Sequence, residues 1–203
     1  KKALLFSTTS RIISLNFTKR GKDMKHLIAF KKAFLAGMII GIGCTVYLYM
    51  ENKLAASFLF GLGLFTIINF GLNLFTGKIG YINKDNYQEV IITLIGNAIG
   101  INLAALLMKQ TRNAQKLMEV ATPIVETKLN DNYVSLFILA IFSGMLMFTA
   151  VATFKKQPNI LGTIAVFLCV SVFIMAGFEH CIANMYYFGL VSTLPEYILP
   201  LIV

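Results

Sequence analysis

The segment GFEHCIANM, residues 177–185, decides how this sequence is interpreted, because it places a carboxylate and an imidazole inside an apolar run. From Gln157 to the end, the only charged or histidine side chains are Glu179, His180 and Glu196. Placing such groups in lipid costs several kcal/mol unless they face a polar interior. Two interpretations follow. Either Glu179 holds backbone donors while His180 faces a pathway, or the two form a structural pair that stabilises a break in a helix.

The composition around this segment is that of a membrane protein. Of the 203 residues, 57% are hydrophobic and 13% are charged, whereas soluble chains average about 45–50% and about 25%. The mean hydropathy of +0.74 therefore excludes a water-soluble enzyme, a disordered chain and a nucleic-acid-binding domain. Three cysteines, all within apolar stretches, predict packing residues with neither a disulfide framework nor a metal site.

Stretches without charged residues predict membrane-spanning helices, since about 20 apolar residues cross the hydrocarbon core. They place helices at about 33–50, 54–77, 90–108 and 132–154, a long or broken helix at 160–190, and a partial sixth helix at 194–203 that is too short to span. We therefore expect an all-α, polytopic membrane protein, with a basic N-terminal arm at 1–27 and a single transmembrane channel domain at 28–203.

The distribution of basic residues predicts the orientation. The net charge is +9, and nine of the 18 lysines and arginines lie between Lys1 and Lys32, together with a single acid, Asp23. Segments on the side of the N-terminus carry 13 basic residues, against five on the other side. The positive-inside rule then places the N-terminus in the cytoplasm.

A second irregular segment, residues 69–77 with the sequence NFGLNLFTG, combines glycines, amides and a threonine near the end of an apolar span. It predicts a re-entrant loop, although a plain helix end at Gly77 is the alternative. This segment and the first lie late in separate apolar stretches, and two interrupted helices in corresponding places indicate an inverted repeat. Gly37 with Gly41, and Gly96 with Gly100, show the GxxxG spacing of closely packed membrane helices.

Residues 177–185 closely resemble the GFEHSVANM signature of the formate/nitrite transporter family, and LFTG at 74–77 resembles its second-helix loop. The segment FLAGM from Phe34 is similar to the family's first helix, and the resemblance covers roughly residues 28–190. It implies an aquaporin-like fold and a homopentamer with one pore per subunit. It implies neither a cofactor nor a metal, and no enzyme.

The resemblance also implies roles for individual residues. His180 would be the central pore histidine, Thr76 part of the cytoplasmic gate, and Lys128 the basic residue that attracts anions at the extracellular mouth. The implied substrate pathway consists of His180, Thr76, Lys128, Phe60, Leu64, Leu74, Phe75 and Phe173. The resemblance puts Phe173 and Phe60 at an outer aromatic constriction and Leu64 near an inner one. The residues expected to hold the helix breaks are Gly177, Glu179, Asn184, Gly77 and Asn73. Gly144 stands where the family usually has asparagine, which removes one amide from the surroundings of the histidine.

The function expected from these residues is a channel or transporter in the plasma (cytoplasmic, or inner) membrane for small monovalent weak-acid anions such as formate or nitrite. The anion would pass two apolar constrictions while His180, with an unperturbed pKa of about 6.5, assists protonation. The expected partners are the anion, protons, the bilayer and further copies of the chain, but no nucleic acid. Alternatives are a truncated, non-conducting family member, or a channel for hydrosulfide, acetate or lactate. An enzyme with Cys181 as nucleophile and His180 as base is disfavoured, because adjacent residues on a helix point about 100° apart.

Overall fold

Eight α-helices and one 3₁₀ turn make up the described part of the chain. The structure, a computed structural model, describes the backbone of residues 2–191 and the surroundings of the side chains from residue 21 on, except Lys22. The partial sixth helix expected at 194–203 lies outside the described residues. The helices are α1 (Lys2–Tyr49), α2 (Lys53–Asn69), α3 (Phe75–Lys78, followed by the 3₁₀ turn Ile79–Tyr81), α4 (Tyr87–Met108), α5 (Ala114–Leu129), α6 (Tyr133–Lys156), α7 (Ile160–Met175) and α8 (Cys181–Val191).

Three helices among the described residues are long and apolar enough to cross a membrane. They are the Asp23–Tyr49 part of α1, then α4, and then α6. α2 and α7 are shorter because each ends at an interruption, after which α3 and α8 begin. The chain therefore forms an all-α polytopic bundle with two interrupted helices, as the sequence predicts. α1 continues without a break through the residues that the sequence analysis separates as a basic arm.

The GxxxG glycines of α1 and of α4 each face the opposite helix. A Cβ atom at Gly37 would lie 2.3 Å from the carbonyl oxygen of Asn97, and one at Gly100 would lie 2.1 Å from that of Phe34. Any larger residue at these positions would push the two backbones apart, so small residues allow the close approach. This contact fixes the first long helix against the third span.

An amphipathic helix that the sequence analysis did not predict, α5, occupies the segment between the third and fourth spans. Leu117, Ala121 and Val125, spaced four residues apart, are buried, and α5 packs against α8 and α1. A count of charge-free stretches misses such a helix, because its polar residues interrupt the apolar run. α5 matters for the site because it carries Lys128 in its last turn.

Both interruptions end their helix with the same backbone motif. Gly71 and Gly177 have φ angles of +59° and +70°, in the left-handed region that glycine adopts without steric cost. The residue that follows each glycine, Leu72 or Phe178, donates its N–H to the carbonyl five positions back, over 2.9 Å and 3.0 Å. This is the Schellman motif. Matching Gly71 with Gly177 therefore aligns the two halves of the inverted repeat residue by residue around their interruptions.

Candidate functional site

The first interruption is held by a buried asparagine of α4, Asn97. Its Nδ2 donates to the carbonyls of Ala33, over 2.7 Å, and Asn73, over 2.9 Å, while its Oδ1 accepts the N–H of Phe75 over 2.8 Å. The Asn73 side chain in turn donates to the carbonyl of Ala29 over 3.3 Å. Asn97 thus satisfies the Asn73 carbonyl and the Phe75 N–H, which the broken helix leaves without helical partners, and links them to the backbone of α1 at Ala33. The sequence analysis did not single out Asn97, although an amide in the middle of an apolar span is the signal that could have found it.

The second interruption is held by an ion pair. Lys128 Nζ lies 2.6 Å from Oε1 and 2.5 Å from Oε2 of Glu179, and Asn184 Nδ2 donates to Oε2 over 2.7 Å. The side chains of Lys128 and Glu179 are 12% and 6% exposed. The expectation that Glu179 would hold backbone donors is therefore wrong, because both of its oxygens accept from side chains. The charge of Lys128 is likewise neutralised by a buried partner.

His180 connects the two interruptions. The ring is buried, with 4% exposure. Its Nδ1 accepts the backbone N–H of Ala183 over 3.2 Å, and its Nε2 lies 3.1 Å from Thr76 Oγ1. Because a backbone N–H can only donate, the neutral imidazole carries its proton on Nε2 and donates it to Thr76. The Thr76 hydroxyl then keeps its own proton for another acceptor.

Aromatic rings close the space beside this histidine. The ring of Phe173 stacks on His180 with centroids 5.4 Å apart, and it forms a T-shaped pair with Phe60, with centroids 6.1 Å apart. Phe60 and Phe173 are 2% and 4% exposed. The structure therefore brings together the two aromatic residues assigned to one constriction, directly against the imidazole.

A cavity of about 260 Å³ reaches His180 from the face of the bundle where α1 ends and α2 begins. We call it the Lys128 cavity. Its polar lining includes the ion pair of the second interruption together with the histidine and two phenols. It is lined by Tyr47, Ile124, Thr127, Lys128, Phe173, Ile174, Gly177, Phe178, Glu179, His180, Ala183, Asn184 and Tyr187.

A second cavity, of about 230 Å³, opens at the other end of α2, beside the first interruption. We call it the Lys78 cavity. Lys78 itself pairs with Glu89. The cavity is lined by Leu64, Ile67, Ile68, Gly71, Leu72, Asn73, Leu74, Gly77, Lys78, Val151 and Lys155. Leu64 and Leu74, expected in the apolar pathway, are therefore both on this side, and Gly77 leaves room for Val151, which a Cβ would approach to 3.0 Å.

Three further residues named in the sequence analysis lie apart from the histidine contacts. Phe75 begins α3 and is half-buried. Gly144, on α6, is not among the residues that line the Lys128 cavity, and a Cβ at this position would meet nothing within 4 Å. Cys181 begins α8, and neither imidazole nitrogen of His180 bonds to it. Within the described residues, no group of three or more His, Cys, Asp or Glu could hold a metal ion.

Two interrupted helices that meet between cavities on opposite faces define a membrane channel or transporter. The sequence model of the formate/nitrite transporter family matches residues 11–196. This chain therefore belongs to the formate/nitrite transporter family, whose members are integral membrane transporters and not enzymes.

Individual relatives agree with this assignment. The chain is 26% identical over 216 residues to the formate-nitrite transporter of Plasmodium ovale, covering 89% of this chain and 69% of that protein. It is 28% identical over 177 residues to the nitrite transporter NirC of Escherichia coli K12, covering 77% and 65%. Among solved structures, a pentameric formate channel with formate bound superposes with a TM-score of 0.72 at 24% identity, over 82% of this chain and 75% of that one. At this identity the superposition shows the shared fold.

Proposed function

We propose that this protein is a channel or transporter for small monovalent weak-acid anions such as formate or nitrite. The observation that supports it most is the contact between Thr76 and His180, which joins the two interruptions at the inner end of the Lys128 cavity. A substrate that enters from either face would meet this pair beside the rings of Phe60 and Phe173.

The apolar constriction favours a substrate that can lose its charge. An anion moved whole between Phe60, Phe173 and Leu64 would lose its hydration with no cation to replace it. Desolvation disfavours the charged form of a weak acid, so the anion takes up a proton as it enters. The proton comes from water that His180 orders, or from the imidazole once that ring has itself been protonated. The neutral acid then crosses.

The polar groups around the constriction have complementary roles in this proposal. Nε2 of His180 donates to Thr76, whose hydroxyl proton is then available to a substrate oxygen. Lys128 and Glu179 form a neutral pair that keeps the second interruption polar and fixed. Asn184 holds the carboxylate in place. The roles assigned to the glycines, Gly77 and Gly177, and to Asn73 are structural.

The assembly and orientation belong to the same proposal. The related formate channel is a pentamer, and α6 and α7 expose apolar side chains such as Phe137, Phe142 and Leu168, which suit lipid or a neighbouring subunit. We propose a homopentamer in the plasma (cytoplasmic) membrane. In this proposal the N-terminus, the Lys78 cavity and the end of α6 face the cytoplasm, an orientation that the excess of basic residues supports.

Uptake by proteoliposomes tests the function. Stopped-flow assays with formate, nitrite, hydrosulfide, acetate and lactate at two pH values would show weak-acid anion flux that rises as external pH falls, because a proton accompanies the anion. His180→Ala and His180→Asn should lower the flux and flatten its pH dependence. Unchanged flux and pH dependence in both variants would refute the proposed role of His180. An absence of flux for all five anions in the wild-type protein would refute the function.

A further inference from the structure

The short helix α3 carries Thr76, yet it is too short to hold this residue in place by itself. α3 has four residues, Phe75–Lys78, and a single helical turn is unstable in isolation because its nucleation costs more than its few hydrogen bonds return. The 3₁₀ turn Ile79–Tyr81 continues it directly, with the Ile79 N–H donating to the carbonyl of Phe75. The two pieces form one continuous unit, so its position depends on contacts with other helices.

The position of this unit matters because its contact with the histidine tolerates little movement. Thr76 Oγ1 lies 3.1 Å from His180 Nε2, and a hydrogen bond of this kind is lost when the two atoms separate beyond about 3.5 Å. A shift of α3 by about 1 Å away from α8 would therefore break the contact.

Tyr81 holds the far end of the unit against α6. Its ring contacts two side chains of that helix, Phe148, with ring centroids 5.1 Å apart, and Lys155, whose Nζ is 4.5 Å from the Tyr81 centroid. The neighbouring backbone is equally close to α6, since a Cβ atom at Gly80 would overlap the ring of Phe148. The Tyr81 carbonyl also accepts a hydrogen bond from Asn86 Nδ2 over 2.9 Å. Both the side chain and the backbone of the turn are thus fixed at Tyr81.

The ion pair at the same end of the unit restrains the backbone less. Lys78 pairs with Glu89 of α4, and Glu89 also lies 3.9 Å from Lys25. Because the lysine stem has four flexible carbons, this pair tolerates a backbone shift that ring packing does not. Asn97 holds the opposite end through the N–H at the start of α3. Tyr81 is therefore the contact that sets the position of the unit at its far end.

We propose that Tyr81 is a positioning residue for transport, whose packing on α6 keeps the Thr76 hydroxyl within hydrogen-bonding distance of His180. Tyr81 lines neither the Lys128 cavity nor the Lys78 cavity, so it acts on the substrate only through Thr76. This inference rests on the proposed transport function and on the role of Thr76 within it.

The chain offers a matched control in Tyr87, the first residue of α4. Its exposure of 46% is close to the 40% of Tyr81. Among the described residues, no aromatic ring or ammonium group packs on the ring of Tyr87. Removing either ring deletes a similar exposed aromatic surface, but only Tyr81 is continuous with α3.

Initial rates of formate and nitrite uptake into proteoliposomes test this role in a double-variant cycle. Tyr81→Ala should lower the rate about three- to tenfold, approaching the loss expected when the Thr76 hydroxyl is absent. In the Thr76→Val background, Tyr81→Ala should change the rate by less than about twofold, because the hydroxyl that it positions is already gone. Phe148→Ala should behave like Tyr81→Ala, whereas Tyr81→Phe and Tyr87→Ala should behave like the wild type.

Each other outcome has a defined meaning. An equally large loss in Tyr81→Ala with and without the Thr76 hydroxyl would show a general structural role and overturn the proposal. An unchanged rate in Tyr81→Ala, or an equal loss in Tyr87→Ala, would overturn it as well. If Tyr81→Ala does not assemble, Tyr81→Leu, which keeps apolar bulk but lacks the ring, takes its place in the same cycle.

The same measurements separate this inference from the proposed function. If the wild-type protein transports neither anion, the proposed function fails and the positioning role fails with it. If the wild type transports either anion and Thr76→Val transports it equally fast, the function stands and the positioning role is overturned.

Discussion

Lys128 and Glu179 are far apart in the sequence, yet the ammonium of one lies within 2.6 Å of both carboxylate oxygens of the other. The pair joins the last turn of α5 to the interruption between α7 and α8. Because both side chains are largely buried, water would solvate neither charge adequately if its partner were absent. The ion pair thus attaches the amphipathic helix α5, which lies outside the predicted spans, to the site.

Replacing one residue of this pair should destabilise the protein more than replacing both. Lys128→Met or Glu179→Gln should each lower the free energy of unfolding by about 3 kcal/mol or more, because one buried charge is left unpaired, whereas the double variant should lose much less. Thermal unfolding in detergent measures this with a thiol-reactive dye, since the chain has three cysteines and no tryptophan. Additive losses in the double variant would contradict the coupling.

Thr76 should be required for transport without being required for the fold. Thr76→Val keeps the shape of the side chain but removes the hydroxyl that would donate to the charged substrate oxygen. Uptake of formate or nitrite should therefore fall about tenfold, which corresponds to the loss of one hydrogen bond to a charged group. Thr76→Ser should restore most of the rate. Proteoliposome flux measures both variants, with the unfolding temperature as control. Full activity in Thr76→Val would remove the hydroxyl from the mechanism.

Asn97 should be essential for the first interruption. Asn97→Leu leaves the N–H of Phe75 and the carbonyl of Asn73 without their partner and removes the link to Ala33 of α1, and each buried polar group left unpaired costs about 1–3 kcal/mol. Asn102→Ala is the matched control, since Asn102 lies on the same helix but bonds only to its own backbone at Ala98. A large fall in unfolding temperature is expected for Asn97→Leu alone. Equal falls would refute the special role of Asn97.

The backbone angle at the two interruptions can be tested separately from packing. Alanine at Gly71, Gly177 or Gly144 would place its Cβ where nothing lies within 4 Å, but only the first two positions have positive φ. Gly71→Ala and Gly177→Ala should each destabilise the protein by about 1–2 kcal/mol. Gly144→Ala, inside α6, should be neutral or stabilise it by up to about 1 kcal/mol. Unfolding temperatures of the three variants decide this, and a loss in Gly144→Ala matching the other two would show that φ is not the cause.

Features that depend on local composition could be predicted from the sequence. The membrane class follows from hydropathy, and the two interruptions follow from glycine and polar residues late in apolar spans. The juxtaposition of Phe60, Phe173 and His180 follows from the family resemblance alone. The specific signature at residues 177–185 was sufficient to identify the family, which the comparisons confirm.

Features that depend on tertiary partners could not be predicted. Helix α5 has no apolar run, and its stability comes from packing on α8 and α1. The neutralisation of Lys128 by Glu179 requires knowledge of which distant residue faces it. The amide of Asn97 in an apolar span indicates that it needs polar partners, but the sequence does not say which, because its three partners lie on other segments.

Aligning the two Schellman motifs on Gly71 and Gly177 matches His180 with Leu74 and Glu179 with Asn73. The same backbone trace thus tolerates an ionisable pair in one half and a neutral pair in the other. The form of the helix break is therefore compatible with different acid–base chemistry in the two halves. For protein engineers, position 74 is accordingly the natural place to install a second imidazole.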